Sequence, residues 1–186
     1  GGLLLSYNES GKNICGSFMG KVMEKAIKMG ESNACMRRIV AAPTAGSCGV
    51  LPAVLLSYEE DFDVAEDDMV KAMYVAAGIG KVIAENAFIA GAAGGCQAEI
   101  GSASAMAAGA LAFLQGGDSS AIINAATHSL KNFLGLVCDP VAGLVEVPCI
   151  KRNSYGAVNA VTSAQLSLAG IKSAIAPDDA PARRSS

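Results

Sequence analysis

Six cysteines stand in a chain of 186 residues, at Cys15, Cys35, Cys48, Cys96, Cys138 and Cys149, and the last three sit where sulfur could do chemistry. Cys96 follows Gly91-Ala92-Ala93-Gly94-Gly95 and opens a stretch of helical composition. Cys138 and Cys149 lie 11 residues apart, each beside a proline, in Cys138-Asp139-Pro140 and Pro148-Cys149. A cysteine at a helix N-terminus is favoured as thiolate, because the macrodipole and the unpaired N–H groups there stabilise negative charge. Flanking prolines stiffen a loop, and glycines let backbone approach a bulky ligand and donate N–H bonds to it. Three thiolates with no nearby fourth suit a cubane iron–sulfur cluster that leaves one iron open to substrate. The same residues suit small buried hydrophobes, the ordinary fate of a free thiol. With no CxxC present, spacing leaves the two readings level.

A second candidate is Pro43-Thr44-Ala45-Gly46-Ser47-Cys48-Gly49. Its hydroxyls and the backbone N–H groups leading into the next helix make a ready anion site; an ordinary N-cap turn is the plainer alternative. Cys48 within it reads as packing. The acidic group Asp61, Asp63, Glu66, Asp67 and Asp68 lacks the order of a calcium loop and reads as a solvated connection and helix start.

The elements that must hold these residues are helices. Phe18, Val22, Lys25-Ala26 and Met29 recur with helical spacing and Gly30 follows as a C-cap. Val50 to Tyr58 is an apolar run with Pro52 in its first turn, and a helix spans about Val64 to Ile89, with Met69, Met73, Ala76-Ala77, Gly80 and Ile83-Ala84 on one small-residue stripe. Cys96 to Leu114 is a helix of Ala, Ser and Gly. Asp118 caps another, from Ser119 to about Phe133. Leu134 to Pro148 reads as an extended loop in which Val141–Val147 has no sheet to join, and a last helix runs from about Cys149 to Ala169, ending at Gly170. Cys15 and Cys35 are expected to pack in helices, and Met19, Met23, Met29, Met69 and Met73 to fill the core. The fold class is all-α: a single compact helical domain with glycine-rich loops around the candidate site.

Composition bounds the function. The chain is 52% apolar and 17% charged, which excludes a disordered chain, and its net charge of −3 lacks the basic face of a nucleic-acid binder. No uncharged apolar stretch is long enough for a membrane span. Scattered cysteines in a domain with ample core argue against a disulfide framework and for a reducing cytoplasm. A mean hydropathy of +0.39 leaves apolar surface for another chain. The opening Gly1-Gly2-Leu3-Leu4-Leu5 carries no initiator Met and looks like a fragment boundary.

Three segments carry a resemblance. Pro43 to Pro52, Gly91 to Ala103 (GAAGGCQAEIGSA) and Gly135 to Asn153 (GLVCDPVAGLVEVPCIKRN) resemble signature segments of the iron–sulfur-dependent L-serine dehydratases. The likeness is to the alpha chain of the two-chain enzymes and the equivalent domain of the single-chain ones, and covers roughly Gly11 to Ile175. It implies an alpha-type catalytic domain over 1–176, with N-terminal helices of the family's usual domain lacking, and a polar tail over 177–186. It further implies a 4Fe-4S cluster on Cys96, Cys138 and Cys149, and α,β-elimination of L-serine to pyruvate and ammonia. Substrate carboxylate would lie at Thr44, Gly46 and Ser47. The expected partner is a beta-type chain or domain, within an oligomer.

The general base is not identified by the resemblance. His128, mid-helix, and Lys151, two residues beyond Cys149, are weak candidates, and a base on the beta-type partner is a third. Lysines beside helix starts are usually solvated, and Arg152 and Asn153 share that ambiguity. Glu99 and Glu146 are expected as hydrogen-bond acceptors around the cysteines. Competing readings are a cysteine desulfidase-like lyase using the same cluster, a structural or electron-carrying cluster protein, and a zinc site.

Overall fold

A computed structural model describes residues 1–138 and 146–179, with the side chains at 146–148 outside that description. Among the described residues the chain is all-α: α1 (Gly2–Glu9), α2 (Gly16–Ala34), α3 (Val50–Asp61), α4 (Glu66–Asn86), α5 (Gly91–Leu114), α6 (Ser119–Lys131) and α7 (Glu146–Leu168).

The axis of the molecule is α5. Every residue from Ile100 to Ala112 is buried, and α3, α4, α6 and α7 all pack against it. Composition explains this: short Ala, Gly and Ser side chains let neighbouring helix axes come close on all sides. Ile100 and Leu111 are the fully buried bulky members, each stabilising the fold by about 1.5–3 kcal/mol through burial. The serines are satisfied internally. Ser104 Oγ donates to the Gly156 carbonyl of α7 at 2.7 Å and accepts from Ser129 Oγ of α6 at 2.7 Å and from Asn159 Nδ2 of α7 at 3.0 Å. One buried hydroxyl thus joins three helices, a directional bond inside an otherwise apolar core.

Several boundaries differ from expectation. Gly30 does not end α2, which continues to Ala34. A Cβ at Gly30 would lie 3.0 Å from Ile150 Cα, so the glycine is where α2 and α7 cross backbone to backbone. The last helix starts at Glu146, ahead of Cys149, and takes Pro148 into its first turn, where a missing N–H leaves no bond unmade. It ends before Gly170, whose φ of 88° suits a helix stop. The α4 helix ends at Asn86, short of Ile89, and α1 has no counterpart in the periodicity.

Cys15 and Cys35 do not pack in helices. They are the exposed N-cap and C-cap residues of α2. Met73 is 58% exposed, because the inner face of α4 runs through Met69, Ala72, Ala76, Gly80 and Ile83 and residue 73 falls one step further round. Glu66, Asp67 and Asp68 form the first turn of α4, where the helix dipole favours carboxylates. Of the expected loop and tail, 139–145 and 180–186 lie outside the described residues, and so do the Val141–Val147 strand reading and the Glu146 side chain.

Candidate functional site

Gly95 breaks α5 with φ 68° and ψ −169°, a left-handed conformation that only glycine adopts without strain. The break makes Cys96 the first residue of the long, buried half of the helix. The segment before Cys138 folds onto this start: Gln97 N donates to the Leu136 carbonyl at 3.0 Å, and Gly135 N donates to Gln97 Oε1 at 2.9 Å. Cys149 arrives from the first turn of α7. Three distant cysteines therefore meet at the junction of α5 and α7.

Cys96 is the hub. Its sulfur is hydrogen-bonded by the Cys149 and Cys138 side chains, and Arg152 Nη1 donates to it at 2.7 Å while also donating to the Val137 carbonyl at 3.0 Å. The Cys149 bond lowers the Cys96 pKa to about 6, against an opposing push from burial and with further help from the Arg152 bond and charge and from Cys138. The same Cys96 bond pushes the Cys149 thiol up, followed by burial and by the negative charges of Cys96, Glu99 and Cys138. Cys96 is thereby biased toward the thiolate and Cys149 toward keeping its proton. Cys96 is buried, Cys149 half-buried and Cys138 exposed, so the trio opens at one side. No group of three or more His, Cys, Asp or Glu among the described residues has the spacing of a single-ion cage. The thiols are gathered pairwise around Cys96.

The turn over 44–49 lies against the same junction. Thr44 Oγ1 donates to Glu99 Oε1 at 2.5 Å and lies 3.0 Å from Ser47 Oγ. Asn153, fully buried on α7, ties the turn to the cysteine helix. Its Nδ2 donates to the Gly46 carbonyl at 2.8 Å and to the Cys149 carbonyl at 2.8 Å, and its Oδ1 accepts from Gly49 N at 2.8 Å. The Gly49 N–H is thus satisfied inside the protein and does not face a ligand. Cys48 is buried, with Sγ 3.7 Å from the Met29 carbonyl, and burial, ahead of the Glu99 charge, pushes its thiol pKa up.

The weak base candidates are placed elsewhere. His128 is buried in the last turn of α6, with Nε2 3.0 Å from the Ile171 carbonyl, and Lys151 is exposed in the second turn of α7. Asn153, grouped above with solvated residues, has the tightest polar role at the junction. Its position four residues after Cys149 was the readable signal, because that spacing returns a side chain to the carbonyl one turn back.

A family model described as "Serine dehydratase alpha chain" matches residues 1–182. The "Probable L-serine dehydratase, alpha chain" of Bacillus subtilis (strain 168) is 49% identical over 176 residues, 95% of this chain and 59% of that protein. The "L-serine dehydratase, alpha chain" of Peptoniphilus asaccharolyticus is 49% identical over 173 residues, 93% of this chain and 59% of that one. The "L-serine dehydratase 1" of Escherichia coli (strain K12) is 44% identical over 144 residues, 77% of this chain and 32% of its own length. The chain thus spans 59% of the length of each of these two alpha chains.

Proposed function

Because the chain belongs to the serine dehydratase alpha-chain family, we propose that it forms the catalytic part of an L-serine ammonia-lyase, acting with a beta-type chain or domain in a cytoplasmic oligomer. The observation that carries this reading is the meeting of Cys96, Cys138 and Cys149 around one sulfur, beside a guanidinium. The donor set suits a four-iron four-sulfur cluster. Its ligands must be thiolates, Cys96 already favours that form, and Arg152 offsets the accumulated negative charge. Bound there, the cluster supplies a Lewis-acid iron that polarises the β-hydroxyl of serine.

The chain's own residues do the rest. The 44–49 turn takes the carboxylate end of the substrate through the Ser47 hydroxyl and the Gly46 backbone, the Thr44 proton being given to Glu99, and Asn153 holds that turn at a fixed distance from the cysteine helix. With both ends held, loss of the Cα proton and of the β-hydroxyl yields an enamine and water. The enamine tautomerises to the imine, and its hydrolysis gives pyruvate and ammonia. Six cysteines outside any disulfide suit a reducing compartment, and among the described residues no helix is long and apolar enough to cross a membrane.

The test is anaerobic reconstitution with the partner chain, followed by iron and sulfide analysis and by pyruvate assays with L-serine and L-cysteine. Iron and sulfide in equal amounts, with pyruvate formed preferentially from serine, is the expected result. Preferential sulfide release from cysteine, or a colourless zinc-loaded protein, overturns the reading.

A further inference from the structure

Two of the three meeting thiols are placed by packed helices, and the third is not. Cys96 stands on α5 and Cys149 on α7, which pack so closely that a Cβ on Gly156 would lie 2.8 Å from Ile100 Cγ2. Cys138 ends a non-helical segment in which Gly135, Val137 and Cys138 are exposed and Leu136 gives one anchor in the core. So little buried apolar surface does not hold a chain in place. Hydrogen bonds do that instead, at three consecutive residues. Gly135 N donates to Gln97 Oε1 at 2.9 Å, the Leu136 carbonyl accepts from Gln97 N at 3.0 Å, and the Val137 carbonyl accepts from Arg152 Nη1 at 3.0 Å. The segment lies against the break in α5, where a Cβ on Gly95 would stand 3.5 Å from Cys138 N.

Gln97 reaches from α5 and Arg152 from α7, so the segment is gripped from the two helices that carry the other thiols. Arg152 Nη1 also donates to Cys96 Sγ at 2.7 Å, which ties the Val137 carbonyl and the central sulfur to one guanidinium. The two Gln97 bonds go to backbone and carry no charge to the sulfurs. We infer that Gln97 and Arg152 are positioning residues for Cys138, clamping the 135–137 backbone so that the third thiol stands at Cys96 in the metal-free chain. Thiols gathered in advance spare the loading step the entropic cost of ordering that segment. Balancing charge at the sulfurs is a separate role, open to Arg152 but not to a neutral amide. The inference rests on the proposed cluster for what the clamp serves, whereas the clamp itself belongs to the metal-free chain.

The test is a short thiol-bridging reagent applied to the metal-free chain with its partner chain, the linked peptides being identified by mass spectrometry. Two backgrounds isolate the pairs: Cys149→Ser for the Cys96–Cys138 link and Cys138→Ser for the Cys96–Cys149 link. The readout is the ratio of the two rates, which a general loss of stability would not shift. Gln97→Ala should lower the Cys96–Cys138 rate about fivefold, the worth of one such bond, and leave the Cys96–Cys149 rate unchanged. Arg152→Lys keeps the charge but loses the planar fork, and should lower the ratio by a similar factor. After anaerobic reconstitution, both variants should release iron to a chelator at least about tenfold faster than the parent. A parent-like ratio in either variant overturns the clamp. Should Q97A lose both links, its fold is lost and R152K decides alone. A parent chain that takes up no iron overturns the cluster reading and leaves the clamp to the crosslinks, whereas parent-like ratios in a chain that loads fully overturn the clamp alone.

Discussion

From Ile100 to Ala112, α5 is held by the volumes of its neighbours; from Gly91 to Glu99, the same helix is held by hydrogen bonds to segments far along the chain. The inner span has few polar bonds and no freedom of shape, because small side chains leave no room for another arrangement. The outer start has a glycine break, an exposed cysteine nearby and bonds to the 44–49 turn, the 135–138 segment and α7. Packing sets where a helix lies, but it does not aim a sulfur or a carboxylate to within a few tenths of an ångström. Directional bonds do that, and they concentrate at the end of α5 where the proposed chemistry sits.

The largest effects should separate the two regions completely. Cys138→Ser is expected to abolish iron, brown colour and serine turnover, because the hydroxyl is a poor iron ligand, while circular dichroism stays helical. Cys35→Ser, at the exposed end of α2, should leave all of these unchanged. Equal loss in both variants would break the ligand assignment. Leu111→Ala attacks the inner span instead. It should lower unfolding free energy by about 2–5 kcal/mol in urea titration, with the iron content of the folded fraction unaltered. Iron loss without loss of stability would show that the two ends of α5 are not separable.

The difference also explains what was legible in the sequence. The helices around α5 follow from periodicity and small-residue runs, and Cys96 is readable as a helix start because five residues of Gly and Ala precede it. Gly46 and Gly91 could be counted but not interpreted, since the carboxylate they admit belongs to Glu99 and no local pattern links those positions. Thr44 and Glu99 are 55 residues apart, and Asn153 is 104 from Gly49. Tertiary hydrogen bonds of that reach leave no periodic trace. The misplacement of Cys15, Cys35 and Met73 has a related cause, because apolar character alone does not say which face of a helix, or which end, meets another element.

Asn153 sharpens the comparison at an intermediate scale. Asn153→Asp keeps volume and the acceptor for Gly49 N, but replaces the two-donor amide with an oxygen facing the Gly46 and Cys149 carbonyls. Leaving such buried groups unpaired costs about 1–3 kcal/mol each, so the variant should melt earlier. It should also lose serine affinity by at least about tenfold, because the turn is freed from the cysteine helix. A drop in melting temperature with unchanged KM would make Asn153 a core residue only.

The smallest effect comes from a second helix start. The Asp118 side chain accepts from Ala121 N at 2.7 Å, three residues on, so α6 caps itself, whereas the long half of α5 begins at a cysteine whose sulfur bonds to other segments. A local cap stabilises only the turn it closes. Asp118→Ala should therefore cost about 1 kcal/mol, a melting shift of about 2–4 °C in a chain of this size, seen by calorimetry. Iron content and KM should not move, because none of the bonds that aim Cys96, Cys149 or Glu99 passes through that turn. If serine affinity fell along with stability, the start of α6 would be coupled to the site through the Ser104–Ser129–Asn159 network, and the division between a packed interior and a bonded edge would have to be redrawn around those three residues.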